Sequence, residues 1–98
     1  MKIRVIADRD TALAFNLAGI AGHAAADAAE VRALFQELAG QRAGLVLITE
    51  KLAEANRPLL DDLRMAADAP LILEIPDLSG PLETRKSAAE QIMNWLRS

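Results

Sequence analysis

Short apolar runs alternate along the chain with longer segments in which apolar residues recur at every third or fourth position. The apolar runs cover residues 3–7, 43–48 and 69–75. No polar residue interrupts the run at residues 43–48, which is typical of a strand that helices cover on both faces of a parallel sheet. The pattern therefore predicts a strand at each of the three runs.

The longer segments between these runs predict helices. One follows the first strand after residues 8–11 and extends to about residue 18, and the others cover residues 27–39, 49–67 and 82–96. The last segment is predicted to be an amphipathic terminal helix, because its apolar residues share one side at helical spacing. These residues are Ala88, Ala89, Ile92, Met93 and Leu96.

Local signals mark where the helices begin, end and break. Asp27 and Glu30 have the spacing of a capping box, with Asp in place of the usual Ser or Thr. Gly40 is placed to end that helix as the C′ residue. Pro58 lacks an N–H and disfavours helix in the residue before it, so we expect a kink or two short helices that meet near Arg57.

A further strand is needed between the first two helices, at residues 21–26. Alanine dominates this segment and forms strands poorly, so we expect a short edge strand. The element order then predicts an α/β fold: a small, doubly wound, Rossmann-like or receiver-like sheet of four mostly parallel strands. We expect one domain over residues 1–98, with an α/β core at residues 1–78 and a turn and C-terminal helix at residues 79–98.

Composition and charge narrow the function classes. The chain is 52% hydrophobic but only 3% aromatic, so its core must consist mainly of aliphatic side chains. A net charge of -3 without a Lys/Arg cluster argues against nucleic acid as a partner. The chain has no cysteine, which excludes disulfides and thiolate chemistry and fits a reducing compartment. No segment approaches the roughly 20 apolar residues that span a bilayer, so we expect a cytoplasmic protein.

Doubly wound sheets bind ligands at the carboxyl ends of their strands. Asp8 and Asp10 lie at such an end, and two carboxylates could hold Mg²⁺ or serve in general acid–base catalysis. The simpler interpretation is structural, with Asp10 capping the first helix and Asp8 exposed in the turn. The candidate residues at the predicted strand ends are Asp8, Asp10, Thr49, Glu50, Pro76 and Asp77.

Other catalytic patterns find little support. A phosphorylated receiver domain needs an aspartate at the end of the middle strand and a later lysine, but Thr49 and Glu50 follow that strand and Pro76 follows the next. We interpret His23, the only histidine, as a partly exposed edge residue rather than a ligand. No glycine follows the first strand closely enough to cradle a phosphate. We therefore predict no catalytic site, no metal site and no cofactor.

The terminal helix is the strongest candidate for a functional surface. Its apolar stripe can pack against the chain's own sheet or dock onto a partner, and both interpretations stay open. Trp95 flanks the stripe near charged residues, as interface anchors often do. The candidate interface residues are Arg85, Ala89, Ile92, Met93, Trp95 and Leu96.

Four segments together resemble a known family, the F subunits of V-type and A-type rotary ATP synthases. The similarity covers nearly the whole chain, in the right order and spacing. Its specific features are an acidic turn with threonine, a Leu-Ala-Gly-Ile ending, an Ile-Thr-Glu helix start and a Glu-Ile-Pro strand end. They occur in residues 3–11 (IRVIADRDT), 14–20 (AFNLAGI), 44–51 (GLVLITEK) and 70–77 (PLILEIPD) with Gly80 and Pro81.

The resemblance implies a non-catalytic component of the central rotor stalk that binds the long coiled-coil D subunit. Its neighbours would be the catalytic hexamer and the funnel-shaped subunit on the membrane ring. It would couple or regulate ATP synthesis or hydrolysis with ion transport, in the cytoplasm and peripheral to the membrane-bound complex. Residues 82–98 would contact neighbouring subunits and are a candidate conformational switch.

The main alternative comes from a different functional class. It is a receiver-like or small-ligand-binding regulatory domain that uses Asp8, Asp10 and the crevice at the strand ends. Titration with Mg²⁺ or acetyl phosphate would perturb the two aspartates only under that alternative.

Overall fold

The structure is a computed structural model that describes residues 2–97. Within that range it contains four strands and five helices. The strands are β1 (Ile3–Ala7), β2 (Ala21–Ala24), β3 (Leu45–Thr49) and β4 (Leu71–Ile75). The helices are α1 (Arg9–Leu17), α2 (Ala28–Gly40), α3 (Glu50–Ala55), α4 (Arg57–Arg64) and α5 (Leu82–Arg97).

The four strands form one open sheet in the order β2-β1-β3-β4. Every neighbouring pair is parallel, so the predicted α/β, Rossmann-like fold is confirmed with a sheet that is parallel throughout. The chain first extends the sheet from β1 to β2 and then returns past β1 to β3. The strand order therefore reverses between β1 and β3, and β2 and β4 become the two edges.

Helices cover the sheet on both faces, as the uninterrupted apolar run of β3 predicts. Side chains of the sheet, α2, α3 and α4 form one core cluster, which includes Ile6, Val31, Phe35, Leu38, Val46, Ile48 and Leu60. Side chains of the sheet, α1 and α5 form the cluster on the other face, which includes Val5, Phe15, Leu45, Leu47, Ile75, Ala89 and Met93.

The start of α2 and the break near Pro58 agree with the sequence. An Asp27 carboxylate oxygen accepts the N–H of Glu30 at 2.9 Å and so caps α2. One helix ends at Ala55 and the next begins at Arg57, with Asn56 between them. Because Pro58 lies in the first turn of α4, its missing N–H is not needed there.

The prediction that Gly40 ends α2 as its C′ residue is wrong. Gly40 is still helical, and the left-handed conformation falls on Arg42, whose φ is 59°. The N–H of Ala43 bonds to the carbonyl of Leu38 at 3.1 Å, and the N–H of Arg42 bonds to the carbonyl of Ala39 at 3.1 Å. These two bonds form a Schellman motif, in which Gly40 is the last helical residue, Gln41 is the C-cap and Arg42 is the C′ residue.

Candidate functional site

Three strand ends converge on a crevice at the point where the strand order reverses. Asp8 follows β1, Thr49 ends β3, and Asp77 lies two residues beyond β4. With Lys51 they line a cavity of about 360 Å³. This is the position at which doubly wound sheets bind ligands, so the sequence prediction locates the crevice correctly.

Asp8 is the N-cap of α1, because its backbone is extended and its carboxylate accepts the N–H of Thr11 at 3.2 Å. The prediction that Asp10 caps this helix is wrong, since Asp10 lies within the first turn. The capping oxygen must come from the residue that precedes the helix and reach the third helical N–H. The same Asp8 oxygen also accepts the Arg85 guanidinium at 2.9 Å.

The bonds around Asp8 determine its charge. Partial burial acts to raise the pKa of Asp8, but the hydrogen bonds from Thr11 and the nearby Arg85 guanidinium outweigh it, so the pKa lies below its ordinary value. Arg85 also donates to the hydroxyl of Thr11 at 3.1 Å and to the carbonyl of Gly80 at 2.9 Å. Asp8 therefore joins the start of α1 to the start of α5.

The other candidates at the strand ends do not assemble into an acid–base pair with Asp8. Asp10 is exposed and lies outside the residues that line the crevice. Thr49 is buried, and Asp77 accepts the backbone N–H of Lys51 at 3.3 Å. Among residues 2–97, no three His, Cys, Asp or Glu side chains are grouped so that they could hold a metal ion.

The predicted interface residues of α5 separate into inward and outward groups. Ala89 and Met93 are buried in the core cluster under α1 and α5, where Ile92 and Leu96 are half-buried. Trp95 lies outside this core and is 77% exposed. Arg85 makes the bonds to Asp8 described above. The use of these residues in an interface stays a prediction, and Trp95 presents the largest area for it.

The sequence did not predict that two apolar side chains on β4 are exposed. Leu71 is 68% exposed and Leu73 is 40% exposed, although both belong to an apolar run. Their register partners on β3, Leu45 and Leu47, are buried. The difference comes from the position of β4 at the edge of the sheet, which the local sequence does not encode.

The opposite face of β4 carries a group of ion pairs. Arg57 makes two hydrogen bonds to the Glu74 carboxylate, at 2.6 and 3.0 Å, and Arg64 makes a third at 3.3 Å. The hydrogen bonds from Arg57 lower the pKa of Glu74 to about 2; partial burial opposes this shift and Arg64 adds to it. These ion pairs have a structural role, because they join α4 to the edge strand β4.

His23 lies on β2 and is half-buried, as predicted for an edge residue. Its Nε2 atom is buried without a hydrogen-bond partner within residues 2–97. No described acidic or cysteine side chain joins it in a metal-binding group.

Comparisons with known proteins agree on one family. A family model described as the ATP synthase (F/14-kDa) subunit matches residues 3–93. The F subunit of the A-type ATP synthase of Thermococcus kodakarensis is 36% identical over 92% of this chain and 88% of its own length. The F subunit of the V-type ATP synthase of Thermus thermophilus is 37% identical over 76% of this chain and 72% of its own. The A-type counterpart from Methanothermobacter thermautotrophicus is 30% identical over 83% and 77%.

Proposed function

The chain belongs to the family of ATP synthase F subunits, and from this premise we propose that it is a non-catalytic component of the central rotor stalk in an A-type or V-type ATP synthase. The observation that carries the proposal is the family match over residues 3–93, which includes every strand and most of α5. In this role the chain docks onto the coiled-coil D subunit, and ATP is made or hydrolysed by other subunits.

The bonds at the strand ends support a non-catalytic role. Asp8, one of the carboxylates that line the crevice, already accepts hydrogen bonds from Thr11 and Arg85. Thr49 occupies the end of the central strand, where a receiver domain would carry its phosphate acceptor, and it is buried. Side chains that hold the fold together in this way are poorly placed to act as a nucleophile and a base.

We extend the proposal to the setting of the complex. The coiled-coil D subunit is the main partner, and the funnel-shaped subunit on the membrane ring and the catalytic hexamer are the further neighbours. Among residues 2–97, no helix has the length and apolar character needed to cross a bilayer. In the proposed role the chain reaches the membrane through the complex, on its cytoplasmic side, where it couples or regulates ATP turnover with ion transport.

The crevice of about 360 Å³ supports a second candidate, a receiver-like or small-ligand-binding regulatory domain. In that case Mg²⁺ or acetyl phosphate should shift the NMR signals of Asp8, whereas the coiled-coil D subunit should leave them unchanged. This candidate is the weaker one, because a ligand would have to compete with the Arg85 guanidinium for Asp8.

Co-expression with the coiled-coil D subunit of the same complex tests the proposed function. Size-exclusion chromatography followed by a dissociation-constant measurement should reveal a stable one-to-one complex. An unrelated coiled coil of similar length and charge serves as the control for non-specific association. Two separate peaks at micromolar concentration would overturn the rotor-stalk role and favour the ligand-binding candidate.

A further inference from the structure

The hydroxyl group of Thr49 is buried at the crevice but forms no hydrogen bond. Thr49 ends β3 and precedes α3 as its N-cap, and only 1% of its surface is exposed. A threonine in this position usually accepts a backbone N–H from the first turn of the helix. The Thr49 side chain makes no such bond, and it has no other hydrogen-bond partner within residues 2–97.

Asp77 caps α3 in place of Thr49. Its carboxylate accepts the N–H of Lys51, the second residue of the helix, at 3.3 Å, although 26 positions separate the two residues. The Thr49 hydroxyl is therefore left available. Within residues 2–97, the only fully enclosed side-chain atom without a hydrogen-bond partner is Nε2 of His23. The Thr49 hydroxyl consequently opens onto the crevice that Thr49 lines.

Two cationic side chains line the same crevice without an ion-pair partner. Arg9 begins α1, and Lys51 lies in the first turn of α3. The ion pairs within residues 2–97 are made by other arginines, so both of these side chains are free to bind an anion. The chain has 14 acidic residues against 11 lysines and arginines, so a shortage of carboxylates does not explain the unpaired cations.

The charges around the crevice favour a singly charged anion. Arg9 and Lys51 line it together with Asp8 and Asp77. Arg85 already balances Asp8 at 2.9 Å, which leaves two cations with one unpaired carboxylate. A single negative charge on a ligand restores the balance. A doubly charged phosphate would instead be repelled by the two aspartates.

The rest of the crevice lining is apolar. We define the apolar wall as Ala25 and Ala26, which follow β2, and Leu52 and Ala55, which lie on α3. Ligand pockets are mostly apolar with a few polar groups that orient the ligand, and they range from about 300 to 1,000 Å³. At about 360 Å³ the crevice lies at the lower end of this range. It therefore fits a small molecule that has one charged head and a short apolar body.

We propose that the crevice binds a small organic monocarboxylate. The Thr49 hydroxyl donates a hydrogen bond to the ligand's carboxylate, which Lys51 and Arg9 also bind, and the ligand's apolar body lies against the apolar wall. The bond between Asp8 and Arg85 stays intact, which distinguishes this site from one for Mg²⁺ or a phosphoryl group. The inference goes beyond the rotor-stalk role and does not depend on it.

Butanoate, inorganic phosphate and butan-1-ol separate the charge of the ligand from its apolar body. The isotopically labelled full chain is titrated with each compound at constant ionic strength. Butanoate should shift the backbone NMR signals of Ala26, Thr49 and Lys51 to saturation with a Kd of about 1 mM, an affinity within reach of a ligand this small. Phosphate and butan-1-ol should each bind about tenfold more weakly, because each lacks one part of the contacts.

Thr49→Val and Lys51→Gln test the groups that bind the carboxylate. Thr49→Val keeps the shape of the side chain and should weaken butanoate binding about tenfold without lowering the melting temperature, because the lost hydroxyl makes no bond in the fold. Lys51→Gln should weaken binding about threefold to fivefold, as expected for an exposed ion pair. Lys86→Gln is the matched control, because it removes the same charge outside the crevice and should leave the affinity within about twofold of the wild type.

Four results would overturn the inference. The absence of a saturable shift at about 50 mM butanoate would exclude an organic-acid site of the expected affinity. Equal binding of phosphate and butanoate would leave the apolar wall without a role. Equal losses in Lys51→Gln and Lys86→Gln would attribute binding to net charge. A lower melting temperature of Thr49→Val would assign the hydroxyl to the fold.

The ligand site and the proposed function can fail independently. Binding of the coiled-coil D subunit is measured on the wild type without butanoate. If the D subunit binds and butanoate does not, the rotor-stalk role stands and the ligand site is refuted. If butanoate binds and the D subunit does not, the ligand site stands and the rotor-stalk role is refuted.

Discussion

The sheet has two edge strands, β2 and β4, and they differ in both composition and surroundings. Strand β2 (Ala21–Ala24) contains only small residues and a histidine, which are poor strand formers as a group. Strand β4 (Leu71–Ile75) is rich in leucine and isoleucine, yet two of its leucines are exposed. The local strand propensity of the residues is higher in β4, whereas β2 is supported by contacts with other parts of the chain.

Close packing against α1 accounts for β2. A Cβ atom at Gly22 would overlap the carbonyl oxygen of Ala12 and lie 3.0 Å from its Cα atom, so α1 approaches the strand closely only because residue 22 is glycine. The Asn16 side chain accepts the Gly22 N–H at 2.8 Å and donates to the Gly22 carbonyl at 3.2 Å. These two bonds satisfy the N–H and the carbonyl of Gly22 on the edge strand, as a neighbouring strand would.

The comparison teaches that an edge strand can be specified in two ways. At β2, small residues allow a helix of the same chain to press against the edge. At β4, large apolar residues form the edge, and two of them stay exposed on one face. Three substitutions probe this difference in stability, from the largest expected effect to the smallest.

Gly22→Ala should destabilise the fold most. The added methyl group meets the backbone of Ala12 rather than a side chain that can rotate away, so we expect a loss of about 1–3 kcal/mol in the free energy of unfolding. For a domain of this size, each kcal/mol lowers the melting temperature by about 4–8 °C. The control is Gly40→Ala, where a Cβ meets no atom within 4 Å and alanine favours the helix. Equal melting temperatures for both variants would contradict the packing account of β2.

Asn16→Ala should destabilise the fold by about 1 kcal/mol, since it removes both side-chain bonds to Gly22. Asn94→Ala is the matched control, because Asn94 lies on the exposed surface of α5 and makes no side-chain hydrogen bond within the described residues. Both substitutions change helix propensity equally. The difference between the two variants in unfolding free energy, measured with urea, therefore gives the contribution of the two bonds to Gly22. If Asn94→Ala is as destabilising as Asn16→Ala, the two bonds to Gly22 contribute nothing to the stability of the fold.

Glu74→Gln should change the pH dependence of stability more than stability itself. The pKa of Glu74 is lowered from 4.5 to about 2 in the folded chain, so its contribution is present above pH 4.5 and is lost as the pH falls toward 2. The difference in unfolding free energy between wild type and variant should therefore shrink across that interval. Arg57→Gln removes the main partner and should reduce the slope as well. A difference that stays constant from about pH 5 to pH 2 would refute the role of the ion pairs.

The sequence correctly predicts those features of the fold that depend on residues close together along the chain. Apolar runs predict the strands, the spacing of Asp27 and Glu30 predicts the start of α2, and Pro58 predicts the break between α3 and α4. Trp95 is predicted to lie beside the apolar stripe, and the structure confirms that it lies outside the core. In each case the residues that decide the outcome are neighbours along the chain.

Other features depend on contacts between distant segments. The runs of β3 and β4 have similar composition, but only the strand order leaves Leu71 and Leu73 at an edge. The role of Asp8 as a cap bonded to Arg85 depends on a contact across 77 positions. The position of the C′ residue of α2 at Arg42 depends on two backbone bonds that no single residue type predicts. These are the points at which the sequence predictions failed or were silent.

The fluorescence of Trp95 tests most directly the central claim that the chain docks onto the coiled-coil D subunit, because Trp95 is the only tryptophan of the chain and is 77% exposed on α5. The coiled-coil D subunit, with any tryptophan replaced by phenylalanine, is added until size exclusion shows complete complex formation. Burial under a partner helix should shift the emission to shorter wavelength and reduce quenching by acrylamide. A fully formed complex in which the emission and the quenching of Trp95 are unchanged would contradict docking through the exposed side of α5.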